Sequence, residues 1–285
     1  MGRRSTKLEN LLSCTGLTLI LLVILIGFSK SLLISFGLFK EVGLDSFTFD
    51  FYKEILNDKT FISSLIFSLK ISVISSILAV IIGIFLSYGI FNSKIYDIYL
   101  KIPVILPHII MAILLLNIFS QTGVIARVFY KLNLVDDSHS FVQFFYNKSA
   151  VGVILTYAIK GSAYTGMVFL GIYRNIGSNQ LAAAKNLGAS DWQEFYYIIF
   201  PFIKKETIAT FIILFNFSIS SYEVPLLIGP TSPRTLAAKS YIEFTKNSFS
   251  YKPKALVINI FLSLIGIVSL IILYLAEDKN YEKDF

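Results

Sequence analysis

Six long apolar runs constrain this chain more than any other feature of its sequence. A helix needs about 20 apolar residues to cross the hydrocarbon core of a bilayer, and each run is close to that length or longer. The sequence therefore predicts an all-α, polytopic membrane protein with about six transmembrane helices. The runs cover residues 11–28, 64–91, 102–119, 149–172, 207–228 and 255–276.

The composition agrees with a membrane protein and disfavours several other classes. Of the 285 residues, 55% are hydrophobic and 15% are charged, whereas soluble domains carry about 25% charged residues. The net charge of +7 comes from basic residues scattered between the apolar runs, which favours a membrane lipid surface over a nucleic acid as the partner. A single cysteine excludes an intrachain disulfide, and no Cys/His spacing predicts a metal site.

The orientation in the membrane is predicted from the N-terminus. Arg3, Arg4 and Lys7 precede the first run, and a local excess of basic residues favours the cytoplasmic side. Counted over all segments, with these three included, the basic residues are divided almost equally between the two sides, so the total count gives no orientation. With six spans both termini are then cytoplasmic, and so is the segment 173–206.

A short helix with a sharp end is predicted within this segment, over 177–189. Ala182, Ala183 and Ala184 favour a helix, and Gly188 suits a left-handed C-cap before Ala189.

A second, amphipathic helix is predicted to begin at Ser190 or Asp191, where Asp191 and Glu194 resemble a capping box. Its apolar side chains recur at helical spacing, and Pro201 is expected to end it. Two such helices could transmit a displacement from a docked soluble protein. They could instead form an amphipathic loop that lies on lipid headgroups. The recurring apolar residues are Trp192, Phe195, Tyr196 and Ile199.

The residues from Ala182 to Ser190, with Phe195 and Pro201 after them, resemble the EAA loop of ABC importer permeases. In that family the first helix of the loop fits a cleft in the ATPase. The resemblance implies ATPase coupling by Ala182, Ala183, Ala184, Gly188, Ala189, Trp192, Phe195 and Pro201. The acidic residue that names the motif is replaced here by Ala182, which removes a charge at the ATPase interface.

The resemblance covers nearly the whole chain and implies an architecture and partners. Residues 222–236 are similar to the spermidine/putrescine branch of the family. The implied architecture is one transmembrane permease domain, with a peripheral first helix in 1–28, a five-helix core in 64–276 and a coupling loop at 177–201. The implied partners are an ABC ATPase dimer, a second permease subunit, homologous or identical, and an extracytoplasmic solute-binding protein, in a bacterial inner membrane.

Four polar residues are candidates for the substrate pathway. Glu223, with Tyr222 beside it and Asn216 before it, offers a carboxylate and an aromatic face to a cation such as a polyamine. Glu223 could instead cap a helix break or pair with a basic residue. Lys160 could line a pathway for an anion, or extend to the interface, or form an ion pair.

Other function classes lack their sequence signatures. There is no HExxH, GxSxG or phosphate-loop pattern, so no catalytic residue is predicted and ATP with Mg²⁺ is expected on a separate ATPase. An ion-coupled secondary transporter would favour repeated halves with broken helices, and no halves repeat. The solute is expected to be a polyamine, or iron, thiamine, sulfate or a phosphonate within the same family.

Overall fold

The computed structural model describes residues 2–90, 97–136, 141–176, 178–246 and 249–281. For residues 2–14, 42, 178–179 and 276–281 it describes the backbone only. The predictions that depend on the side chains of Arg3, Arg4 and Lys7 and on residue 177 lie outside this description.

The described chain is helical almost throughout, as the sequence predicts. A two-stranded antiparallel hairpin, β1 (Leu38–Phe39) and β2 (Leu44–Asp45), is the only sheet in these residues. The helices are α1 (Gly2–Ser35), α2 (Asp50–Asn57), α3 (Lys59–Ile90), α4 (Asp97–Ile105), α5 (His108–Phe119), α6 (Val124–Lys131), α7 (Val151–Asn175), α8 (Ser178–Asn186), α9 (Asp191–Glu194), α10 (Phe200–Ser220), α11 (Glu223–Ile228), α12 (Leu236–Thr245) and α13 (Lys252–Tyr281).

Five stretches of the described helices are long and apolar enough to cross a membrane: Thr15–Ser35, Lys59–Ile90, His108–Lys131, Val151–Asn175 and Phe249–Leu275. The predicted fifth span, 207–228, is not among them. Its helix, α10, begins seven residues earlier than predicted, so its first turns carry Lys204, Lys205 and Glu206, and it ends at Ser220.

Two of the predicted spans are broken, which corrects the sequence-based expectation of continuous helices. The run 102–119 is divided into α4 and α5, because Pro107 lacks an N–H and adopts an extended ψ of 148°. The run 207–228 is divided into α10 and α11, because Ser221 is extended with ψ of 129°. Both breaks follow from backbone conformation inside an apolar run.

The chain divides into two compact units. The first comprises residues 1–59 and 240–261. Within it, Phe36 stacks on Phe47 and Tyr52, with ring centroids 4.9 Å apart in each pair. An ion pair also joins Lys254 to Glu54. These contacts order the hairpin and α2 around aromatic packing.

The second unit comprises residues 60–239 and 262–285 and contains two apolar clusters. One is built by α3, α5, α7 and α11, with Phe67, Met111 and Val224 among its buried members. The other is built by α3, α7 and α10, with Phe169 and Ile203 at 0% exposure. The second unit holds all the candidate site residues.

Close packing of α3 on α7 depends on Gly83. A Cβ added at Gly83 would lie 2.4 Å from the Cβ of Thr165 and 2.7 Å from the carbonyl oxygen of Ser162. Such distances are far below van der Waals contact, so the two helices approach as closely as glycine allows.

We predict that Gly83→Ala lowers the stability of the purified protein in detergent by about 1–3 kcal/mol, because α3 and α7 must separate. The measurement is the thermal unfolding midpoint. Gly89→Ala on the same helix is the matched control, since nothing lies within 4 Å of its added Cβ, and it should leave the midpoint unchanged or raise it. Equal midpoints for the two variants would contradict the packing argument.

Candidate functional site

The break between α4 and α5 exposes a backbone carbonyl inside the helix bundle. Because the helix stops at Pro107, the carbonyl oxygen of Leu106 has no helical N–H partner beyond the break. The ammonium of Lys160, near the middle of α7, donates a hydrogen bond to this oxygen. A lysine side chain therefore satisfies a backbone group that a membrane interior would otherwise leave unpaired.

Lys160 is buried, with 7% of its surface exposed. It does not extend to an interface. Among the described residues no Asp or Glu oxygen lies within 4 Å of its ammonium. The charge is therefore partly compensated by the Leu106 carbonyl and is left without a carboxylate in this part of the chain.

A cavity of about 220 Å³ lies next to Lys160, between α4, α5, α7 and α10. His108 stands at its edge with its ring stacked on Phe217, at a centroid distance of 4.3 Å. Since α5 begins at His108, the positive end of that helix dipole also lies at the cavity. The walls are mostly apolar, and the lining residues are Val104, His108, Lys160, Gly161, Tyr164, Ile213, Leu214 and Phe217.

A smaller cavity of about 20 Å³ shares His108, Gly161 and Phe217 with the first, and it is large enough for one water molecule. Ser75 and Ser218 line it, with their hydroxyl oxygens 3.3 Å apart. The other polar lining groups are Ser76 and Tyr157, and the hydroxyls of both are buried without a hydrogen-bond partner in the described structure.

The small cavity extends from His108, at the edge of the first cavity, to Ser218 near the end of α10. The Tyr157 hydroxyl is close to the Ser221 side chain and within electrostatic reach of Glu223. Polar groups therefore follow one another from Glu223, through Tyr157 and the serines, to His108 and Lys160. Sequence patterns gave no indication of this set of polar groups, since its members come from five helices.

We call these polar groups the polar strip. Glu223 lies at one end of it, and the other predicted pathway residues, Tyr222 and Asn216, lie near it. Glu223 is exposed at the first turn of α11, and no described Lys or Arg lies within 4 Å of its carboxylate. Tyr222 is the residue before α11 and is half-buried. Asn216 does not line either cavity, because its amide donates to the Ile212 carbonyl and, at 2.7 Å, to the Ser269 hydroxyl on α13.

The turn after α8 has the predicted geometry. Gly188 has a φ of +83°, in the left-handed region that glycine adopts without strain. The N–H of Ala189 donates to the Ala184 carbonyl at 3.0 Å, which closes the helix end. The C-cap prediction at Gly188 is confirmed, and the preceding Leu187 stands 88% exposed at the tip of the turn.

The helix α8 presents a surface of small side chains. Leu181 is buried and anchors the helix in the second apolar cluster, whereas Ala182 and Ala183 are exposed and Ala184 is half-buried. Small exposed side chains leave the backbone of α8 open to close approach by another surface.

An ion pair across the turn joins the two helices, and sequence patterns missed it. The Lys185 ammonium lies 3.6 Å from carboxylate oxygens of both Glu194 and Asp191. Glu194 is 1% exposed, whereas Asp191 is 82% exposed. The predicted capping pair of Asp191 and Glu194 is wrong, because the capping box is formed by Ser190 and Gln193.

The second helix does not end at Pro201, which corrects another expectation. A π-helical segment, Phe195–Ile199, follows α9 and leads directly into α10, where Pro201 lies in the first turn. The π segment also changes which side chains face inward, since Ile199 is buried but Trp192 is 66% exposed.

The remaining predicted residues of this segment lie at its surface or edge. Tyr196 is 53% exposed, Phe195 is half-buried and Pro201 is exposed. Trp192 stacks on Phe195 at a centroid distance of 5.9 Å. Aromatic rings thus cover the outer face of the α9–α10 junction, beside the turn at Gly188.

The comparisons with known proteins identify the class to which this fold and these sites belong. Residues 71–280 match the model of the family described as binding-protein-dependent transport system inner membrane component. The match spans more than half of the chain. The chain belongs to this family.

Individual relatives agree with that membership. The chain is 29% identical over 229 residues to a probable ABC transporter permease protein of Pyrococcus horikoshii, covering 76% of this chain and 77% of that one. The fold is also similar to a chain of a bacterial alginate ABC transporter in complex with an alginate pentasaccharide-bound periplasmic protein. That likeness has a TM-score of 0.75 and 17% identity, and it covers 95% of this chain and 94% of the other.

A second solved structure, an amino acid ABC transporter with histidines, has a TM-score of 0.55 at 18% identity and covers 81% of this chain and 98% of that chain. At these identities the structures define the fold only. Together with the family match, they make this chain an ABC transporter permease, a multi-pass membrane subunit.

We predict that Glu194→Gln loosens the link between α8 and α9, because Lys185 loses its buried partner. Amide hydrogen exchange over 180–199 should become about fivefold faster, corresponding to about 1 kcal/mol. Asp191→Asn is the control, since that carboxylate is exposed and its loss should change exchange little. Equal exchange rates in the two variants would show that the ion pair between Lys185 and Glu194 does not hold the turn.

Proposed function

We propose that this chain is one permease subunit of an ATP-driven importer and that its α8–α10 segment receives the push of a separate ATPase dimer. The observation that carries the proposal is the exposed turn at Leu187 and Gly188 within a chain that belongs to the permease family. ATP and Mg²⁺ would be bound by the ATPase, and this chain would form half of the translocation pathway.

The coupling role is supported by the shape of the segment. Ala182 and Ala183 leave α8 open to close approach, Leu187 offers an apolar tip, and the Lys185–Glu194 ion pair fixes α8 to α9. Because α9 continues through the π segment into α10, a displacement at the turn is passed directly to a helix that lines the cavity. The absence of the acidic residue at Ala182 leaves packing as the main source of ATPase affinity.

The proposed assembly contains three other kinds of subunit besides this chain. A second permease, identical or homologous, completes the pathway, an ATPase dimer lies on the cytoplasmic side, and an extracytoplasmic binding protein delivers the solute. The proposed orientation places both termini and the α8–α10 segment in the cytoplasm of a bacterium. It is supported by the basic residues at the N-terminus.

We predict that Leu187→Asp prevents co-purification of the ATPase subunit with this chain, because a charge replaces the apolar tip of the turn. The loss should be at least about tenfold in the recovered ATPase, while the thermal midpoint of the isolated chain stays unchanged. Leu132→Asp is the matched control, since Leu132 is also exposed, at 62%, beyond the other end of the spans. ATPase recovery unaffected by Leu187→Asp would contradict the docking surface.

Two classes of solute are supported by two different parts of the chain. A polyamine would suit Glu223, an exposed carboxylate beside the aromatic ring of Tyr222. An anion would suit Lys160, which lines the cavity at the middle of α7. The second class has the stronger structural support, because Lys160 is buried and lines a cavity, whereas Glu223 is exposed.

We predict that Glu223→Gln raises the KM for polyamine uptake by at least about tenfold if a polyamine is the solute, because a charge-assisted contact is lost. Uptake of radiolabelled spermidine into proteoliposomes that contain the complete importer measures it. Glu243→Gln is the control, since that carboxylate is already paired with Lys246. An unchanged KM, or no spermidine uptake by the unmodified importer, would remove the polyamine hypothesis.

A further inference from the structure

We propose that the cavity beside Lys160 binds the oxyanion group of the transported solute, such as a carboxylate, sulfate or phosphonate. The inference rests on the proposed importer function and names its substrate class. Its observations are a buried cation without a carboxylate partner in the described chain, a cavity beside it, and polar groups in the adjoining small cavity.

The charge of Lys160 is the first argument. A lysine ammonium inside a bilayer costs about 2.5 to 3.5 kcal/mol on insertion scales unless a partner or an aqueous cavity compensates it. Here the Leu106 carbonyl supplies one hydrogen bond, and an ammonium has three donors. Because Lys160 also lines the cavity, a group in the cavity can accept hydrogen bonds from the remaining N–H groups of the ammonium.

The break at Pro107 adds to the same positive field. The helix α5 has 12 residues and begins at His108, which lines the cavity, so its positive dipole end lies there. Lys160 and this helix end approach the cavity from two helices. An oxyanion between them would accept hydrogen bonds from both sides, whereas a cationic group would be repelled by both.

The cavity walls favour an organic solute of modest size. The volume of about 220 Å³ is below the range of about 300 to 1,000 Å³ that is usual for ligand pockets. The walls opposite Lys160 are apolar or aromatic, with Ile213, Leu214 and Phe217 from α10. The polar end and the apolar walls suit a short molecule with an oxyanion at one end.

A purely structural role for Lys160 is the competing explanation. In that case the Leu106 carbonyl compensates the ammonium, and its charge does not extend to the cavity walls. The two explanations differ in the electrostatic potential at the cavity walls, which can be measured without knowing the solute. Ile213, 48% exposed and on the cavity wall, is a suitable position for a reporter.

The test uses the full chain in membrane vesicles, with the single native cysteine removed by Cys14→Ser and a reporter introduced by Ile213→Cys. The reporter is allowed to react with two small methanethiosulfonate reagents, one carrying a sulfonate and the other a trimethylammonium group. The ratio of the two rates is divided by the same ratio for Val142→Cys, an exposed position at 62% outside the cavity.

We expect the normalised ratio to favour the sulfonate reagent by at least about tenfold, because the cavity carries a positive charge. Lys160→Met should reduce the preference to within about twofold of the reference, and Lys160→Arg should keep it. Membrane insertion and monodispersity of each variant are checked by size-exclusion chromatography.

Three results would overturn the proposal: a ratio equal to the reference in the protein that retains Lys160, a preference for the cationic reagent, or no reaction with either reagent. The first two are independent of whether the Lys160 variants fold. Failure of the chain to associate with an ATPase would overturn the proposed importer function and leave this ratio unchanged, so the two failures are distinguishable.

Discussion

The hydrogen bond from Lys160 to the Leu106 carbonyl is the interaction on which the centre of this structure depends. A membrane interior has no water to satisfy a free carbonyl, so an interrupted helix needs a partner from the protein itself. The interruption at Pro107 brings His108 and the start of α5 to the middle of the bundle, and the lysine that compensates it brings a positive charge there. One backbone break therefore accounts for both the cavity and its electrostatic character.

The same helices connect this centre to the surface that we propose for coupling. Phe217 and Ile213 of α10 line the cavity, and α10 continues from α9 through the π segment without a hinge of extended backbone. The turn at Gly188 is tied to α9 by the buried carboxylate of Glu194. A movement of the turn would therefore reach the cavity directly through α9, the π segment and α10, and no other helix is needed to transmit it.

Local features of this fold could be predicted from the sequence, whereas features that depend on distant partners could not. The apolar runs predicted α3, α7 and α13, and Gly188 predicted its own left-handed turn, because these depend on neighbouring residues only. Pro107 was visible in the sequence, but its effect depends on the bond from Lys160 to Leu106, two residues that are 54 positions apart.

The same distinction between local features and features that depend on distant partners holds for the candidate sites. The small exposed residues of α8 followed from composition, but the Lys185–Glu194 ion pair crosses a turn and matches no helical spacing. The π segment shifts the register of Trp192 and Ile199 by less than a turn, and nothing in residues 195–199 signals it. The polar strip takes its residues from five helices, so no periodicity along the chain could reveal it.

The most direct test of the account is the ATPase activity of the complete importer in lipid, with its binding protein loaded in turn with sulfate, a phosphonate, spermidine, thiamine or an iron chelate. We expect one oxyanion solute to stimulate ATP turnover and the cationic solutes to have no effect. Stimulation by spermidine alone would contradict the proposal that the Lys160 cavity binds an oxyanion. An ATPase that does not respond to any loaded binding protein would contradict the importer function itself.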